Sequence, residues 1–340
     1  MPNRVSDQDL KYRRYVESLI LGMRNNRYSW WTHWRELGEY FLPRRYKWLI
    51  TPNQQNRGSP IQQHIIDSTG SLAARNLASG LMSGKTSPTQ PWFGMIFGNT
   101  DSTQTTPVSL WLAAVERIMR LIFSESNFYT SIAQWYFDLV IFGTAVLLIY
   151  EDFENVINIR NPCAGEYYVD IDGRYRPVVL GLEYTMTIRA LVDEFKIENC
   201  SDAVRTAYDL PNGAGLTREI IVAQVIEPNN DGRDFGVPPS FAFRECFWEW
   251  GGSQSPQNRS GYDGFLRKTG YHEQPNIICR WDLVSNDPYG RSPAMDALGD
   301  QKQLQLESKR KAQPSTRWST RPWSPTSNSR TNPLHSCPGA

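Results

Sequence analysis

The sequence lacks the features that mark disulfide-bonded, zinc-binding and membrane-spanning proteins. Four of its five cysteines are widely spaced and no CxxC pair occurs, which indicates free thiols in a reducing compartment. The longest apolar run, Leu139 to Tyr150, is shorter than the roughly 18 residues that a membrane span requires. The first residues are polar and charged and contain no apolar signal-peptide region. We therefore expect no membrane contact, and synthesis in the cytoplasm.

A surplus of charge of one sign is missing as well. The formal net charge is +1, from 36 Lys and Arg against 35 Asp and Glu. Such a chain has no global basic field, so a strongly basic DNA-binding module is disfavoured. Any contact with DNA has to come from a local patch or from the lining of a pore.

Catalytic and metal-binding patterns are also missing. The sequence has no GxSxG nucleophile motif and no HExxH zinc motif, and no pair of carboxylates stands out as general acid and base. The stretch Asp170 to Gly173 resembles the start of a calcium loop, but the later carboxylates of that loop do not follow. A hairpin turn explains it better. We predict no catalytic residue, no metal and no cofactor, which favours a structural or assembly role.

What the sequence does contain is typical of a globular protein with a large core. Hydrophobic residues make up 40% of its 340 residues, with 12 Trp, 16 Tyr and 14 Phe. The spacing of apolar residues changes from helical to alternating along the chain, so the predicted class is α+β. We predict a mostly helical part at 1–142, a β-rich part with a mixed or antiparallel sheet at 143–292, the start of a long helix at 293–313 and a disordered tail at 314–340.

Spacing, caps and turn residues predict the individual elements. The predicted helices are Asp7 to Arg24, Ser29 to Phe41, Pro60 to Leu81 with Gly84 as its C′ residue, Pro107 to Phe123, Phe128 to Phe142, Thr187 to Lys196 and Ser201 to Tyr208. The predicted strands are Pro91 to Phe97, Ala145 to Glu151, Val156 to Arg160, Glu166 to Ile171, Arg176 to Tyr184, Ile220 to Glu227 and Phe241 to Trp250. The apolar run at 139–150 is predicted to be the end of a helix followed by a buried strand.

The stretch from Arg280 to Gln313 is predicted to be a loop that leads into a capped helix. Asn286 to Gly290 has turn chemistry, Ser292 is suited to the N-cap, and Pro293 is suited to the first helical position. The basic residues of this helix, Lys302, Lys309, Arg310 and Lys311, include two that are seven apart and share one face. That face is either solvated, with a favourable helix dipole, or contacts nucleic-acid backbone without reading sequence.

One apparent motif is misleading. The stretch from Gly80 to Ser87 includes Gly84-Lys85-Thr86, which resembles a phosphate loop, but only three residues separate its glycines where the phosphate cradle needs four. The segment also ends a predicted helix and runs into Pro88, whereas a phosphate loop connects a strand to a following helix. We therefore do not predict nucleotide binding here.

The last 27 residues differ in composition from the rest. From Pro314 onward there are ten Ser and Thr and five Pro, with no Asp, Glu or Lys and no Val, Ile, Phe or Tyr. Such a segment cannot form a core, so one interpretation is a disordered, weakly basic tail. The other is a frameshift: when the codons are read one base out of register after Gln313, only the wobble bases are free, and suitable choices of them give a string typical of folded protein. The DNA sequence across the Gln313 codon distinguishes the two.

Three stretches together carry a resemblance to a known family. They are WRELGEYFLPRR (Trp34 to Arg45), IIDSTGSLAARNLASGLMSGKTSPTQPWF (Ile65 to Phe93) and RWDLVSNDPYGRSPAMDALGDQKQLQ (Arg280 to Gln305). They resemble the head-to-tail connector, or portal, family of short-tailed (podovirus-type) bacteriophages. The similarity runs from near the N-terminus to Gln313, its last stretch is the most specific, and the shifted-frame string continues the family's pattern.

The resemblance implies a subunit of a ring, usually of twelve copies, at one vertex of the virion capsid. Double-stranded DNA passes through such a ring without sequence-specific contact, driven inward by a terminase and leaving when the tail attaches. The implied partners are further copies of the chain, capsid, scaffold and tail proteins, terminase and DNA. The implied fold is a wing of mixed structure up to about Ser292, with the start of a stem helix at 293–313. Synthesis is implied in the host bacterial cytoplasm.

On this resemblance, Lys302, Lys309, Arg310 and Lys311 are candidate channel-facing residues. Because a stem helix ending near Gln313 lacks packing partners, we expect this product not to close a ring by itself. Two alternatives stay open. A packaging enzyme that hydrolyses nucleoside triphosphates rests on Gly84-Lys85-Thr86 alone, and Lys85→Ala would abolish its nucleotide binding. A minor capsid or tail adaptor protein should be smaller and lack the stretch from Arg280 to Gln305.

Overall fold

The structure is a computed structural model, and it describes residues 7–43, 45, 65–96, 106–230, 236–250 and 264–319. Within these ranges the chain forms eight α-helices and eight β-strands in two antiparallel sheets. The predicted α+β class is confirmed. No helix in the described ranges combines the length and the apolar character needed to cross a membrane.

The helices lie mostly at the two ends of the described chain. They are α1 (Asp7–Phe41), α2 (Thr69–Lys85), α3 (Thr106–Glu125), α4 (Phe128–Phe142), α5 (Ile188–Phe195), α6 (Asp202–Tyr208), α7 (Pro293–Asp296) and α8 (Leu298–Ser319). Single 3₁₀ turns at Ile197–Asn199 and Pro211–Gly213 flank α6.

The strands occupy the middle of the chain. They are β1 (Thr144–Asp152), β2 (Val156–Arg160), β3 (Tyr167–Ile171), β4 (Pro177–Thr187), β5 (Glu219–Pro228), β6 (Phe243–Glu249), β7 (Arg267–Tyr271) and β8 (Asn276–Arg280). One sheet has the order β2-β1-β8, and the other has the order β3-β4-β5-β6-β7. All neighbouring strands are antiparallel.

The first half of α1 covers one face of the five-stranded sheet. Tyr12, Val16, Ile20 and Met23 recur at four, four and three, so they form one stripe, and all four are buried. Together with sheet residues such as Trp248 they form a separate core cluster. Burying each large side chain of this kind contributes about 1.5–3 kcal/mol.

The second half of α1 joins the main core. Trp34, Leu37 and Phe41 pack there with α2, α4, β1 and the other face of the five-stranded sheet. The chain from Val140 to Leu148, which ends α4 and begins β1, is almost completely buried. The prediction of a helix end followed by a buried strand in this apolar run is therefore confirmed.

The prediction that α1 would be two helices is wrong. The chain continues as one helix through the polar stretch between Arg24 and Ser29. Arg27 in this stretch is 3% exposed, and its guanidinium donates hydrogen bonds to the carbonyls of Gly165 and Tyr167. Tertiary contact thus overrides the weak local preference of asparagine for breaking a helix.

Other predictions also need correction. Helix α2 begins at Thr69, and the predicted start at Pro60 lies outside the described residues. The stretch 91–96 is not a strand, because its Trp92 stacks on Phe128 with ring centroids 6.0 Å apart instead of joining a sheet.

The edge strand β7 and the strand β8 were not predicted. The single helix predicted at 293–313 is divided at Ala297 into α7 and α8. Helix α8 runs past Gln313 to Ser319, and the rest of the predicted tail, 320–340, lies outside the described residues.

Candidate functional site

The segment before α8 is held in one conformation by hydrogen bonds to the end of α4 and the start of β1. The Ser292 hydroxyl caps α7 by accepting from the Met295 amide at 3.1 Å, and it donates to the Ile141 carbonyl at 2.7 Å. The Gly290 amide donates to Thr144 Oγ1 at 2.9 Å. The predicted N-cap and the predicted proline in the first helical turn are both confirmed.

Two glycines allow this segment to approach α4 closely. Gly143 ends α4 with a φ of +73°, and a Cβ there would lie 2.3 Å from the Gly290 carbonyl oxygen. A Cβ on Gly290 would lie 2.5 Å from the Gly143 carbonyl oxygen. The Trp281 amide donates to that same oxygen at 2.8 Å. The close approach of the two backbone segments therefore requires glycine at both positions.

Tyr289 anchors the segment to α1 and β3. Its side chain is 1% exposed, and its hydroxyl accepts from the Val169 amide at 3.1 Å. Its ring meets Trp34 edge-on with centroids 5.0 Å apart and lies 5.8 Å from the ring of Trp30. The Trp30 indole donates to Asp287 at 3.1 Å, so the turn itself is also bound to α1. Burial raises the pKa of Tyr289 to about 12.

Two glutamines fix the first turns of α8 against the start of α2. The Gln305 Oε1 accepts from the amides of Ile66 at 2.7 Å and Asp67 at 2.9 Å, and its Nε2 donates to the Asp67 carbonyl at 2.6 Å. One turn earlier, Gln301 fills the space beside Gly70, where a Cβ would lie 2.5 Å from its Oε1. Sequence analysis did not single out these residues. Their spacing of four on one helix face was the available signal.

The structure separates the four candidate channel-facing residues into two groups. Lys302 forms an ion pair with Glu36, and its Nζ lies 5.8 Å from the ring centroid of Tyr40. It is partly buried against α1, so its charge is partly neutralised within the chain. The other three candidates lie about two turns farther along α8 and are exposed: Lys309, Arg310 and Lys311.

The Gly80 to Ser87 stretch lies at the wrong end of a helix to be a phosphate loop. Helix α2 continues through Gly84 to Lys85, and the Thr86 amide donates to the Met82 carbonyl at 3.0 Å. A phosphate site uses the free amides of a helix N-terminus, whereas a C-terminus offers carbonyl oxygens and a partial negative charge. Gly84 is helical, so the prediction that it is the C′ residue is wrong.

The acidic stretch at Asp170 to Gly173 is the predicted hairpin turn between β3 and β4. Asp172 Oδ1 accepts from the amides of Arg174 at 2.9 Å and Arg176 at 2.8 Å, so its carboxylate stabilises the turn. In the described ranges, no three His, Cys, Asp or Glu side chains are grouped so that they could hold a metal ion.

Buried charges in the described part of the chain connect its secondary structure elements. Arg244 of β6 donates to Glu227 of β5 at 2.7 Å, and both side chains are less than 5% exposed. Asp138 of α4 pairs with Arg45, and burial raises the pKa of Asp138 to about 6 although the arginine acts in the opposite direction. These pairs connect strands or fasten a loop to α4, so packing is the role that their positions indicate.

Comparisons with known proteins place the chain in one family. The model of the family described as bacteriophage head to tail connecting protein matches residues 13–340. The chain is 37% identical over 293 residues to the "Probable portal protein" of Bordetella phage BPP-1, covering 86% of this chain and 50% of that protein. It is 36% identical over 294 residues to the "Portal protein" of Salmonella phage epsilon15, with the same shares covered. The chain thus spans about half the length of these relatives. It belongs to the family of bacteriophage head to tail connecting proteins.

Proposed function

We propose that this chain supplies the wing, and the beginning of the stem helix, of a portal subunit in a bacteriophage virion. In this proposal copies of the subunit assemble as a ring at one capsid vertex. DNA enters the head through the ring during packaging and leaves through it at ejection. The family match over most of the chain, with relatives named portal protein, is the observation that carries the proposal.

The way α8 leaves the folded body supports this assignment. Its first turns are fixed to α1 and α2 through Gln301, Lys302 and Gln305, whereas Lys309 to Gln313 are exposed. A helix that is rigidly aimed at its base and exposed farther along suits a stem that continues toward a channel. The near-neutral charge of the chain suits DNA that slides, because tight binding through many phosphate contacts would hold the DNA in place.

Within the proposed ring, Lys309, Arg310 and Lys311 are the candidates for facing DNA, and Lys302 is the weakest of the four. Anisotropy of a labelled duplex at several salt concentrations tests this. Replacing the three exposed residues with glutamine should flatten the salt dependence of binding by about 0.9 per lost phosphate contact. Lys302→Gln is the matched control and should leave the slope unchanged. Equal slopes for both variants would remove the three residues as DNA contacts.

The proposed partners are further copies of the chain, a twelve-subunit ring when the subunit is full length, and capsid, scaffold, tail and terminase proteins. The chain is proposed to be made in the host bacterial cytoplasm and to end in the virion. Immunogold labelling of phage particles with an antibody raised against this chain tests the location. Gold at a single vertex is expected. Labelling spread over the whole capsid would favour a minor capsid protein and would overturn the proposal.

A further inference from the structure

Helix α3 exposes an apolar face. Trp111, Ile118 and Leu121 are spaced by seven and three residues, so they lie on one side of the helix. Their exposed fractions are 62%, 56% and 54%, and Leu110 beside them is 66% exposed. Single exposed apolar residues are common, but a contiguous apolar face of this kind marks an interaction surface.

The same face forms one wall of a groove, which we call the α3 groove. It has a volume of about 640 Å³ and runs between α3 and the segment 88–91, with Arg117, Ile118 and Leu121 among its lining residues. Helix α3 packs on α4 beside the groove. At the end of α3, Phe123 stacks on Phe128 of α4 with centroids 4.4 Å apart.

A second apolar surface lies on the loop after β8, at residues 281–284, which we call the 281–284 loop. Trp281, Leu283 and Val284 are 40%, 53% and 51% exposed. The backbone of this loop is fixed, because Asp282 and Arg291 exchange amide-to-carbonyl hydrogen bonds of 2.9 and 3.2 Å. A fixed loop that presents large apolar side chains loses little conformational freedom when it binds.

The two surfaces do not cover each other within one chain. The α3 groove lies near the start of α4, at Phe128, and the 281–284 loop lies at its end, where Trp281 is bonded to Gly143. Helix α4 has 15 residues and is therefore about 22 Å long. Each surface is left open at its own end of α4.

The charges of the two surfaces are complementary. The α3 groove contains the exposed cation of Arg117, and the 281–284 loop contains the exposed carboxylate of Asp282 between its apolar residues. Neither side chain has an ion-pair partner within the described ranges, whereas the neighbouring Arg120 is already paired with Glu116. An apolar contact with one opposite-charge pair fixes both register and partner.

We propose that the 281–284 loop of one copy of this chain occupies the α3 groove of the next copy. The inference rests on the proposed function, because a ring built by rotation needs two different, mutually complementary surfaces on every subunit. Trp281, Leu283 and Val284 pack on Ile118 and Leu121 of the neighbouring copy, and Asp282 pairs with its Arg117. The contact is head-to-tail, so it also forms between two or three copies that do not close a ring.

Cross-linking of the purified chain tests the contact directly. Ile118→Cys and Leu283→Cys are made singly and together, and each protein is treated with a short bifunctional maleimide. The double variant should give a ladder of dimers, trimers and larger species, because every copy carries both halves of the contact. Each single variant should give no more than the background that the native cysteines produce in the unmodified chain.

Charge reversal tests the pairing in proteins whose circular dichroism shows that they are folded. Arg117→Glu and Asp282→Arg should each weaken self-association measured by sedimentation velocity by at least about tenfold. The double variant, which restores opposite charges in reversed order, should recover most of that loss. Arg174→Glu changes an exposed arginine in the β3–β4 turn and should leave association unchanged.

Either of two results would overturn the inference. One is a double-cysteine variant that gives no ladder above background. This result is also expected if the chain stays monomeric because another virion protein fills the groove. The other is a double charge reversal that stays as weak as the single ones. These outcomes differ from failure of the proposed function. A ladder without gold at a vertex would leave the contact standing and remove the portal assignment.

Discussion

Replacing Gly143 with alanine should destabilise the protein more than any other single added methyl group where the end of α4 approaches Gly290. The φ of +73° places an L residue in the left-handed region, at a cost of about 1–2 kcal/mol. The new Cβ would lie 2.3 Å from the Gly290 carbonyl oxygen, so the two backbones must separate. That movement weakens the hydrogen bonds from Trp281 to Gly143 and from Gly290 to Thr144, each worth about 1 kcal/mol. The total expected loss is about 3–4 kcal/mol.

Urea unfolding followed by tryptophan fluorescence measures this loss. Gly299→Ala is the matched control, because a Cβ at Gly299 meets nothing within 4 Å and the residue lies inside α8. Alanine there should stabilise the protein by roughly 0.5–1 kcal/mol through helix propensity. If Gly143→Ala changes the free energy of unfolding by less than about 1 kcal/mol, the close approach of the Gly143 and Gly290 backbones does not exist as described.

Three further changes test the anchoring of α8 and the buried charges. Gln305→Ala should lower the free energy of unfolding in urea by about 2–3 kcal/mol, because it leaves two amides and a carbonyl unpaired. Gln303→Ala on the exposed face of α8 should lower it by less than about 0.5 kcal/mol. Similar values for the two variants would contradict the role of Gln305 in anchoring α8. Tyr289→Phe leaves a buried amide without an acceptor and should cost about 1–3 kcal/mol, and an unchanged melting temperature would refute the assigned bond. Burial raises the folded-state pKa of Asp138 from 3.8 to about 6, so between these pH values the folded state holds a proton that the unfolded chain releases. The free energy of unfolding should therefore rise by roughly 3 kcal/mol as pH falls through this window. Asp138→Asn should lack this gain, and parallel pH profiles for the two proteins would count against it.

Local signals predicted the elements whose cause is local. Helix α4 and strand β2 occur with the predicted bounds, because turn residues and apolar spacing indicate the same element there. The cap at Ser292 was predictable for the same reason, since Ser followed by Pro satisfies the start of a helix using neighbouring atoms only.

Elements whose cause is distant were missed. Strand β7 is an edge strand made of Arg267, Lys268, Thr269, Gly270 and Tyr271, so it has no alternating apolar pattern. The charged ends of its cations lie over aromatic rings: the Arg267 guanidinium is 4.6 Å from the ring centroid of Phe247, and Lys268 Nζ is 5.3 Å from that of Phe265. Charged residues are a common protection of exposed sheet edges, and they hide the strand from a search for apolar periodicity.

The pairing of Lys302 could not be predicted from sequence for a related reason. The lysine and Glu36 are 266 residues apart, and only the packing of α8 on α1 brings them together. From the sequence alone, the four basic residues of the helix looked like one group. In the structure Lys302 forms an ion pair with Glu36, whereas the other three are exposed, so we expect those three to be the stronger candidates for contact with DNA. Their place in a channel stays a prediction.

The stretch from Arg280 to Gln305, which carried the most specific part of the resemblance, contains several residues whose type is required by packing. Tyr289 needs both its ring and its hydroxyl, Gly290 needs the absence of a side chain, and Ser292 needs a hydroxyl that donates and accepts at once. Each of these demands excludes nearly every other residue type. Together they fix the direction in which α8 leaves the body. In the proposed ring, a small error in that direction would be repeated in every subunit. Residues with such specific packing requirements at the start of α8 therefore suit the proposed role.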